Sequence, residues 1–395
     1  MCGIAGYASD LIQELDALGI ENEIFPISRR DMQYMSLEEI NQRFDAFCDK
    51  AEGFDIVHIQ HEHGFFCGPH PFRNSVFIFG KILNRLQKSR VKRIIVTFHT
   101  EPFFLERGHL QGLPLKAAIT ERAKLAYYRW IWEQQVARHF KSKRSDRFQA
   151  IIHSKRSRLK MLEAGFASER ISVIALGFPA KRRTQVSPEA QLQAKRELGI
   201  PEEATVLSLF GFISAYKGPD IAVRALAALP EDFYLIIAGG PHPETDPREA
   251  PLQSVLALIE QLEEDEEKDI EISHRILITG FVPFAMLDTI HAATDICLAP
   301  YILTNLSASA AISWALTSGK PTIASKIPAF REMNESGQCF LLFQPSAHLE
   351  LAWQITNLTK DKQLQQDLID NAKAYVEKYS WPSTAKQVSH LYKPE

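Results

Sequence analysis

Short apolar runs rich in isoleucine and valine recur along the chain, separated by stretches long enough to form a helix. This alternation predicts β-α units stacked around parallel sheets, because parallel strands are joined by crossover connections. We predict two series of strands. The first series is ENEIFPI, FDIVHIQHE, VKRIIVTFHT, FQAIIHS and ISVIALG, and the second is TVLSLFGFI, FYLIIAGG, RILITGF, DICLAPY, PTIASKI and CFLLFQP.

A polar segment without strand character, AKRRTQVSPEAQLQAKRELGIPEEA, separates the two series. It places a domain boundary near Lys181–Ser187, so we expect one domain over residues 1–182 and another over residues 183–380. Two domains also suit a chain of 395 residues, because a single core stops growing beyond about 250–300 residues.

The chain opens on a helix rather than a strand. GIAGYASDLIQELDALG has Leu11, Leu15 and Leu18 at helical spacing and ends in glycine, and only Met1 and Cys2 precede it. A parallel sheet should place a strand before such a helix. We therefore expect the first strand of this domain to be missing, which leaves three explanations open: a lost strand, a wrong start site, or a sheet built around a gap.

Composition excludes disordered and fibrous proteins, since 45% of the residues are hydrophobic and 24% are charged. The sequence contains neither an apolar run of about 18–20 uncharged residues nor a signal-peptide pattern, so we expect a cytoplasmic protein. The five cysteines are scattered without a C-x-x-C pair. This spacing argues against both a disulfide framework and a zinc site, and predicts buried cysteines.

Charge is distributed unevenly along the chain. Residues 1–180 carry 26 basic and 20 acidic side chains, whereas residues 181–395 carry 19 and 28. The stretch Arg107–Lys160 alone has 14 basic and 3 acidic residues. Such a stretch attracts phosphates, anionic lipid headgroups or an acidic acceptor, although a solvated helix face is the plainer alternative. No nucleic-acid motif accompanies the charge, so we expect no nucleic-acid partner.

The second half contains a phosphate-binding pattern. In LFGFISAYKGPDIAVRAL a glycine-bearing turn follows a strand, and Lys217 and Gly218 precede a helix. This arrangement directs backbone groups and one cation at a diphosphate. The segments FYLIIAGG, RILITGFVP, DICLAPY and SASAAISWALTSGKPTIAS follow at the spacing of β-α units.

This ordered series resembles the donor-sugar domain of the GT-B-fold retaining glycosyltransferases of family 4, the glycosyl transferases group 1. In the first half, CGIAGYASDLIQEL, IVHIQHEHGFF, IIVTFHT, IIHSKRSRLKMLEAG and ISVIALGFP resemble the acceptor domain. YSWPSTAKQVSHLY resembles the closing helix, implying that residues 381–395 pack back on the first domain. The resemblance implies an α/β GT-B fold, in which two Rossmann-like domains with parallel sheets face a cleft.

The resemblance also implies roles for individual residues of the second domain. Lys217 would stabilise the leaving diphosphate, against the alternative of a surface lysine. Backbone groups at Val282 would hold the base, against simple packing at a strand end. Ser307, Ser309 and Ala310 would receive the phosphates at a helix N-terminus. The full implied donor site is Gly211, Phe212, Ser214, Lys217, Gly240, Val282, Ser307, Ser309 and Ala310.

In the first domain His99 ends the strand VKRIIVTFH, at the edge where ligands bind in open α/β sheets. The resemblance places it close to the reacting sugar and makes it catalytic together with Lys217, against the alternative of a histidine that is merely hydrogen-bonded. The implied acceptor side is Gly3, His61, Glu62, His63, Arg122 and Lys124. The H-E-H run looks like a metal site, but neighbouring residues on a strand point to opposite faces. We therefore expect a wall of the cleft, no metal ligand, and metal-independent activity.

Three positions depart from the family's pattern. Leu306 and Trp314 replace the two carboxylates of its Glu-x7-Glu pair, and Phe212 replaces a phosphate-binding arginine. The expected function is retaining transfer of a sugar from a UDP-type or GDP-type donor to an acceptor hydroxyl of a glycan or lipid-linked acceptor. Peripheral contact with an anionic membrane is expected through Arg107–Lys160. The alternative is an inactive pseudo-glycosyltransferase that serves as a partner subunit or scaffold.

Overall fold

The computed structural model describes residues 3–68, 70, 72–105, 114–141, 146–179, 186–241, 251–264, 271–303 and 309–393. The helices are α1 Gly3–Ala17, α2 Arg29–Met32, α3 Leu37–Ala51, α4 Phe72–Lys88, α5 Leu115–Gln135, α6 Lys155–Glu163, α7 Pro188–Glu197, α8 Pro219–Ala227, α9 Pro251–Glu263, α10 Phe284–Ala293, α11 Ala310–Thr317, α12 Pro328–Gly337, α13 His348–Lys360, α14 Lys362–Lys378 and α15 Trp381–Tyr392. The strands are β1 Ile56–His61, β2 Arg93–Phe98, β3 Phe148–Ile152, β4 Ile171–Val173, β5 Thr205–Phe210, β6 Phe233–Ala238, β7 Ile276–Ile278, β8 Ile296–Ala299, β9 Thr322–Ser325 and β10 Leu341–Phe343.

The described residues form two compact units, each with its own sheet. Residues 3–177 and 381–393 belong to the first unit, and residues 178–303 and 309–380 belong to the second. The expected boundary at 182/183 lies outside the described residues. Phe178 already belongs to the second unit, where its N–H donates to the carbonyl of Tyr379 over 2.9 Å.

Ten of the eleven predicted strands are present, and one prediction is wrong. The segment ENEIFPI is neither strand nor helix. Phe25 packs against the ring of Phe47, with centroids 5.1 Å apart, and Arg43 donates to the carbonyl of Pro26 over 2.8 Å. A strand requires a neighbour for its backbone groups. In the described residues β1 pairs only with β2, and ENEIFPI does not pair with the other edge of β1.

The first sheet is parallel throughout, in the order β1-β2-β3-β4. One face is covered by α1 and α15, whose Leu11, Leu15 and Val388 are buried against Ile95 and Ile151. Leu18 lies outside this stripe and is exposed. The other face carries the larger core with α3, α4 and α5.

The second sheet is also parallel, in the order β10-β9-β8-β5-β6-β7. After β5 the chain builds β6 and β7 on one side, then returns to build β8, β9 and β10 on the other. The order therefore reverses between β5 and β8, and in open α/β sheets ligands bind at the carboxyl ends of strands beside such a reversal.

The cysteines fit their expected role, because Cys48, Cys67, Cys297 and Cys339 are free and buried, whereas Cys2 lies outside the described residues. None of the helices in the described part of the chain combines the length and apolar character needed to cross a bilayer.

Buried histidines couple the stability of the first unit to pH. The imidazole of His58 lies 2.7 Å from the Tyr392 hydroxyl and 2.8 Å from the Thr97 hydroxyl, and burial lowers its pKa to about 4. Burial also lowers the pKa of His153. An unfolded histidine, with a pKa of about 6.5, binds a proton more readily than these buried rings. Stability should therefore fall as pH drops below that value.

We expect His58 alone to reduce the unfolding free energy of the first unit by about 2 kcal/mol between about pH 7 and pH 5. Urea unfolding at both pH values measures this change, and His58→Gln should flatten the dependence. The exposed His274 provides the control, because His274→Gln should leave the pH dependence unchanged. An equally steep dependence in His58→Gln would contradict the assignment.

Candidate functional site

The donor-side residues gather where the order of the second sheet reverses. β5 ends at Phe210 and continues into Gly211, and β8 ends at Ala299 and continues into Pro300. The N–H of Ile302 donates to the carbonyl of Tyr216 over 2.9 Å, so the segments that follow the two strands are tied together. These segments form the edge at which an α/β sheet binds ligands.

Gly211 is the point at which three elements converge. Its φ of +98° is one that residues with a side chain rarely adopt. A Cβ at this position would overlap the ammonium of Lys217 and lie 3.3 Å from the Cβ of Ala311. Only glycine therefore lets the end of β5, the lysine turn and the start of α11 approach one another.

Lys217 is buried rather than exposed, with 5% of its surface accessible. It ends a 3-10 turn, Ala215–Lys217, and the left-handed Gly218 follows it. Burial lowers its pKa to about 8. No carboxylate forms an ion pair with its ammonium in the described residues, and a buried cation without a counter-ion is costly. The alternative of a surface lysine is therefore wrong, and the arrangement favours binding of an anion.

The N-terminus of α11 faces the same convergence point. Ser309 occupies the cap position, but its hydroxyl forms no bond to the helix backbone and instead lies 3.0 Å from the Tyr301 hydroxyl. The Ser309 side chain therefore accepts no hydrogen bond from the first amide N–H groups of α11, which carry the positive end of the helix dipole. Ala310 supplies backbone here as the first residue of α11, and Ser307 lies outside the described residues.

The remaining donor-side residues line the neighbouring segments. The carbonyl of Gly240 accepts from Ile213 N over 2.8 Å, and that of Ser214 accepts from Lys217 N over 3.0 Å. The ring of Phe212 lies 5.9 Å from that of Phe281, which precedes the half-buried Val282. An aromatic pair therefore stands where the family's pattern has a phosphate-binding arginine.

Two tyrosines at this edge escaped prediction from the sequence. The rings of Tyr216 and Tyr301 meet edge to face at 5.8 Å, and Tyr301 positions Ser309. The sequence signal for Tyr301 is the end of DICLAPY, where a tyrosine follows a buried strand. Without the fold, nothing in that run relates it to the lysine turn.

In the first unit, His99 follows the carboxyl end of β2. Its Nε2 lies 2.9 Å from Oε1 of Gln60, and its ring lies 4.9 Å from Tyr7 and 5.3 Å from His153. Burial, followed by the neighbouring histidines His153 and His58, holds the pKa of His99 well below its usual value. The ring is therefore neutral, and Nε2 donates to the Gln60 amide oxygen.

The H-E-H run divides between two environments. His61 is 2% exposed and packs among aromatic rings, 4.5 Å from Phe79 and 4.9 Å from Phe98. This differs from the expected cleft wall, because alternate residues of β1 face the core shared with α4 and α5. His63 lies beside His61, with ring centroids 5.1 Å apart, whereas Glu62 accepts from the Thr100 hydroxyl over 2.8 Å.

No group of three or more histidine, cysteine, aspartate or glutamate side chains could hold a metal among the residues that the structure describes. The other acceptor-side residues lie at the surface. Gly3 starts α1, and Arg122 and Lys124 lie on the exposed side of α5, where Lys124 pairs with Glu121 at 3.3 Å.

A separate groove of about 700 Å³ lies in the second unit between α12 and α14. Its lining includes Arg331, Glu335, Asp367 and Asp370 but none of the donor-side residues. The lining of this groove contains both cations and carboxylates, so its charge does not favour a phosphate. The convergence at Gly211 is therefore the better candidate site on chemical grounds.

Residues 191–375 match the family model described as glycosyl transferases group 1. This match covers α7 through most of α14 and so includes every donor-side residue named above. The D-inositol 3-phosphate glycosyltransferase of Corynebacterium glutamicum strain R is 27% identical over 231 residues, which cover 57% of this chain and 51% of that protein. The chain thus spans about half the length of this curated relative.

Solved structures share the whole fold. HepE of Anabaena, in complex with UDP and glucose, superposes with a TM-score of 0.67 at 18% identity, covering 98% of this chain and 95% of HepE. WaaG, a glycosyltransferase involved in lipopolysaccharide biosynthesis, superposes with a TM-score of 0.61 at 15% identity, covering 94% of this chain and 98% of WaaG. The α/β GT-B fold with two Rossmann-like domains is therefore confirmed.

The contact between Gln60 and His99 predicts a measurable shift. In Gln60→Glu a carboxylate replaces the amide and stabilises the imidazolium, so the pKa of His99 should rise by about one unit or more. An NMR titration of the His99 ring protons measures this change. The exposed Gln42 is the matched control, since Gln42→Glu should leave the pKa of His99 unchanged. An unaltered titration in Gln60→Glu would show that Gln60 does not orient the ring.

Proposed function

We propose that this protein transfers a sugar, with retention of configuration, from a UDP-type or GDP-type donor to an acceptor hydroxyl. The observation that carries the proposal is the convergence of Gly211, the buried Lys217 and the N-terminus of α11. It combines a buried cation without an ion pair among the described residues, a helix N-terminus that the Ser309 side chain does not cap, and a close backbone approach at one point. These are the features that a diphosphate requires.

The transfer would depend on stabilising the departing diphosphate. As the bond between the sugar carbon and the phosphate oxygen breaks, negative charge grows on that oxygen. The Lys217 ammonium and the α11 amides would stabilise this charge. The acceptor oxygen would bond to the sugar on the same face while its proton passes to the departing phosphate oxygen. Retention follows from that geometry without a covalent enzyme intermediate.

The rest of the donor would lie along the same edge. Backbone groups near Val282 would hold the base, beside the rings of Phe212 and Phe281. The second unit would thus bind the donor and the first the acceptor, with the neutral His99 on the acceptor side. We expect no metal cofactor, because the cation of Lys217 takes the charge-neutralising role.

The acceptor would be a glycan or a lipid-linked acceptor. The similar structure of HepE contains UDP and glucose, and WaaG, which has the same fold, is involved in lipopolysaccharide biosynthesis. Contact of the basic stretch Arg107–Lys160 with an anionic membrane belongs to the same proposal, because a lipid-linked acceptor presents its hydroxyl at such a surface.

Lys217→Ala should weaken UDP binding at least about tenfold, because a charged contact to a phosphate is lost. Calorimetric titration with UDP and GDP measures binding, and nucleotide release from UDP-glucose with and without acceptor lipid measures turnover. The exposed Lys326 in the same unit is the matched control, so Lys326→Ala should behave as the wild type.

Unchanged binding in Lys217→Ala would overturn the proposed site. If UDP bound to the wild type but no donor and acceptor gave turnover, the inactive scaffold would become the better interpretation. The replacement of both family carboxylates by Leu306 and Trp314 makes that outcome worth testing.

The pKa of Lys217 predicts how UDP binding depends on pH. The ammonium is present below its pKa of about 8 and is lost as pH rises through that value. Affinity for UDP should therefore fall between about pH 7 and pH 9, by as much as about tenfold. Lys217→Arg keeps its charge throughout this range and should flatten the profile. A wild-type affinity that rose or stayed constant would contradict a role for this ammonium.

A further inference from the structure

Helix α5 carries an apolar stripe on its exposed side. Leu115, Ile119, Ala123 and Tyr127 follow one another at intervals of four residues, and Trp130 completes the set. Leu115 is 77% exposed, Ile119 57%, Trp130 58% and Tyr127 46%. At about 100° per residue these five side chains share one side of the helix. We refer to Leu115, Ile119, Ala123, Tyr127 and Trp130 as the α5 stripe.

The opposite side of α5 is already packed. Ile131 and Trp132 are buried in the core of the first unit, and Leu125 and Tyr128 pack against that core. A surface helix of a water-soluble domain normally needs only one apolar side. The stripe is therefore a second apolar surface on one helix, and contiguous exposed apolar surface marks an interaction site.

Cations border the α5 stripe. On the helical projection Arg122 lies just outside the edge of the stripe that Leu115 forms. Lys116 lies near the opposite edge, between Ala123 and Tyr127. Both side chains are exposed, and no carboxylate forms an ion pair with either in the described part of the chain. Both acids of the helix form ion pairs. Glu121 pairs with Lys124 at 3.3 Å, and Glu133, which lies in line with Leu115 on the helical projection, pairs with Arg129 at 3.2 Å. The border thus has a net positive charge.

We propose that the α5 stripe is a docking surface for an anionic lipid bilayer. This proposal rests on the proposed function in one respect, because a lipid-linked acceptor is the reason to approach a membrane. It narrows the membrane contact from Arg107–Lys160 to one face of one helix. Tyrosine and tryptophan favour the interface between headgroups and acyl chains, because each ring has an apolar body and a polar tip. The stems of lysine and arginine lie along apolar surface while their charges reach the headgroups.

The shape of the surface favours a bilayer over another occupant. The stripe follows a single helix of 21 residues, about 31 Å long. An apolar side that runs along one helix is the form in which a surface helix lies in the headgroup layer. Its positive border complements anionic lipid.

Binding of the full chain to vesicles tests the proposal directly. Phosphatidylcholine vesicles containing phosphatidylglycerol should sediment the protein, vesicles of phosphatidylcholine alone should bind it more weakly, and added NaCl should weaken binding. The double substitution of Ile119→Gln with Trp130→Gln should lower the partition coefficient at least about tenfold. Tryptophan fluorescence should shift to the blue when the protein binds vesicles, and Trp130→Phe should abolish most of that shift.

A matched control lies on α13 of the second unit, where Leu349 and Trp353 are each 66% exposed. Leu349→Gln with Trp353→Gln should bind vesicles like the wild type. UDP binding by both double variants separates this test from that of the donor site. The proposal would be overturned if the wild-type protein failed to bind anionic vesicles, or if sedimentation velocity showed that it dimerises through the stripe instead. Loss of vesicle binding in the α13 variant but not in the α5 variant would also overturn it.

Discussion

The second unit contains a buried ammonium group, that of Lys217, which forms no ion pair with any carboxylate of the described residues. A Cβ at Gly211 would overlap the Lys217 ammonium and lie 3.3 Å from the Cβ of Ala311, so the absence of a side chain leaves room for both. The left-handed Gly218 closes the turn that carries the lysine against the segment following β8. Burying a charge without a partner is unfavourable, so the fold accepts a local cost that an anionic ligand would relieve.

The same physical effect has opposite consequences in the two units. Burial favours the neutral form of any cationic side chain, whether lysine or histidine. Lysine starts from a pKa far above neutrality, so a shift to about 8 leaves Lys217 mostly charged near pH 7. Histidine starts near neutrality, so burial leaves His58, His99 and His153 uncharged. One unit thus presents a cation, and the other presents neutral hydrogen-bonding rings.

Helix α5 shows how charge and exposure carry different information. The excess of basic residues between Arg107 and Lys160 draws attention to this part of the chain but is equally typical of a solvated face. Because α5 is apolar on both sides, no amphipathic pattern distinguishes its buried side from its outer side. Packing assigns Trp132 to the core and Trp130 to the surface, and only then does the exposed stripe appear.

The sequence by itself determined the class of fold, ten strands and the order of the donor-side motifs, because period-two and period-four patterns and glycine turns are local properties. It also singled out Lys217, His99 and the glycines of the candidate site. Only the tertiary structure decided that ENEIFPI pairs with none of the described strands, that His61 is a core residue, and that Gln60 contacts His99. It likewise decided that Lys217 is buried beside the start of α11. Each of these outcomes depends on what lies across space from a residue, and a chain brings such neighbours together only when its strands pair and its helices pack.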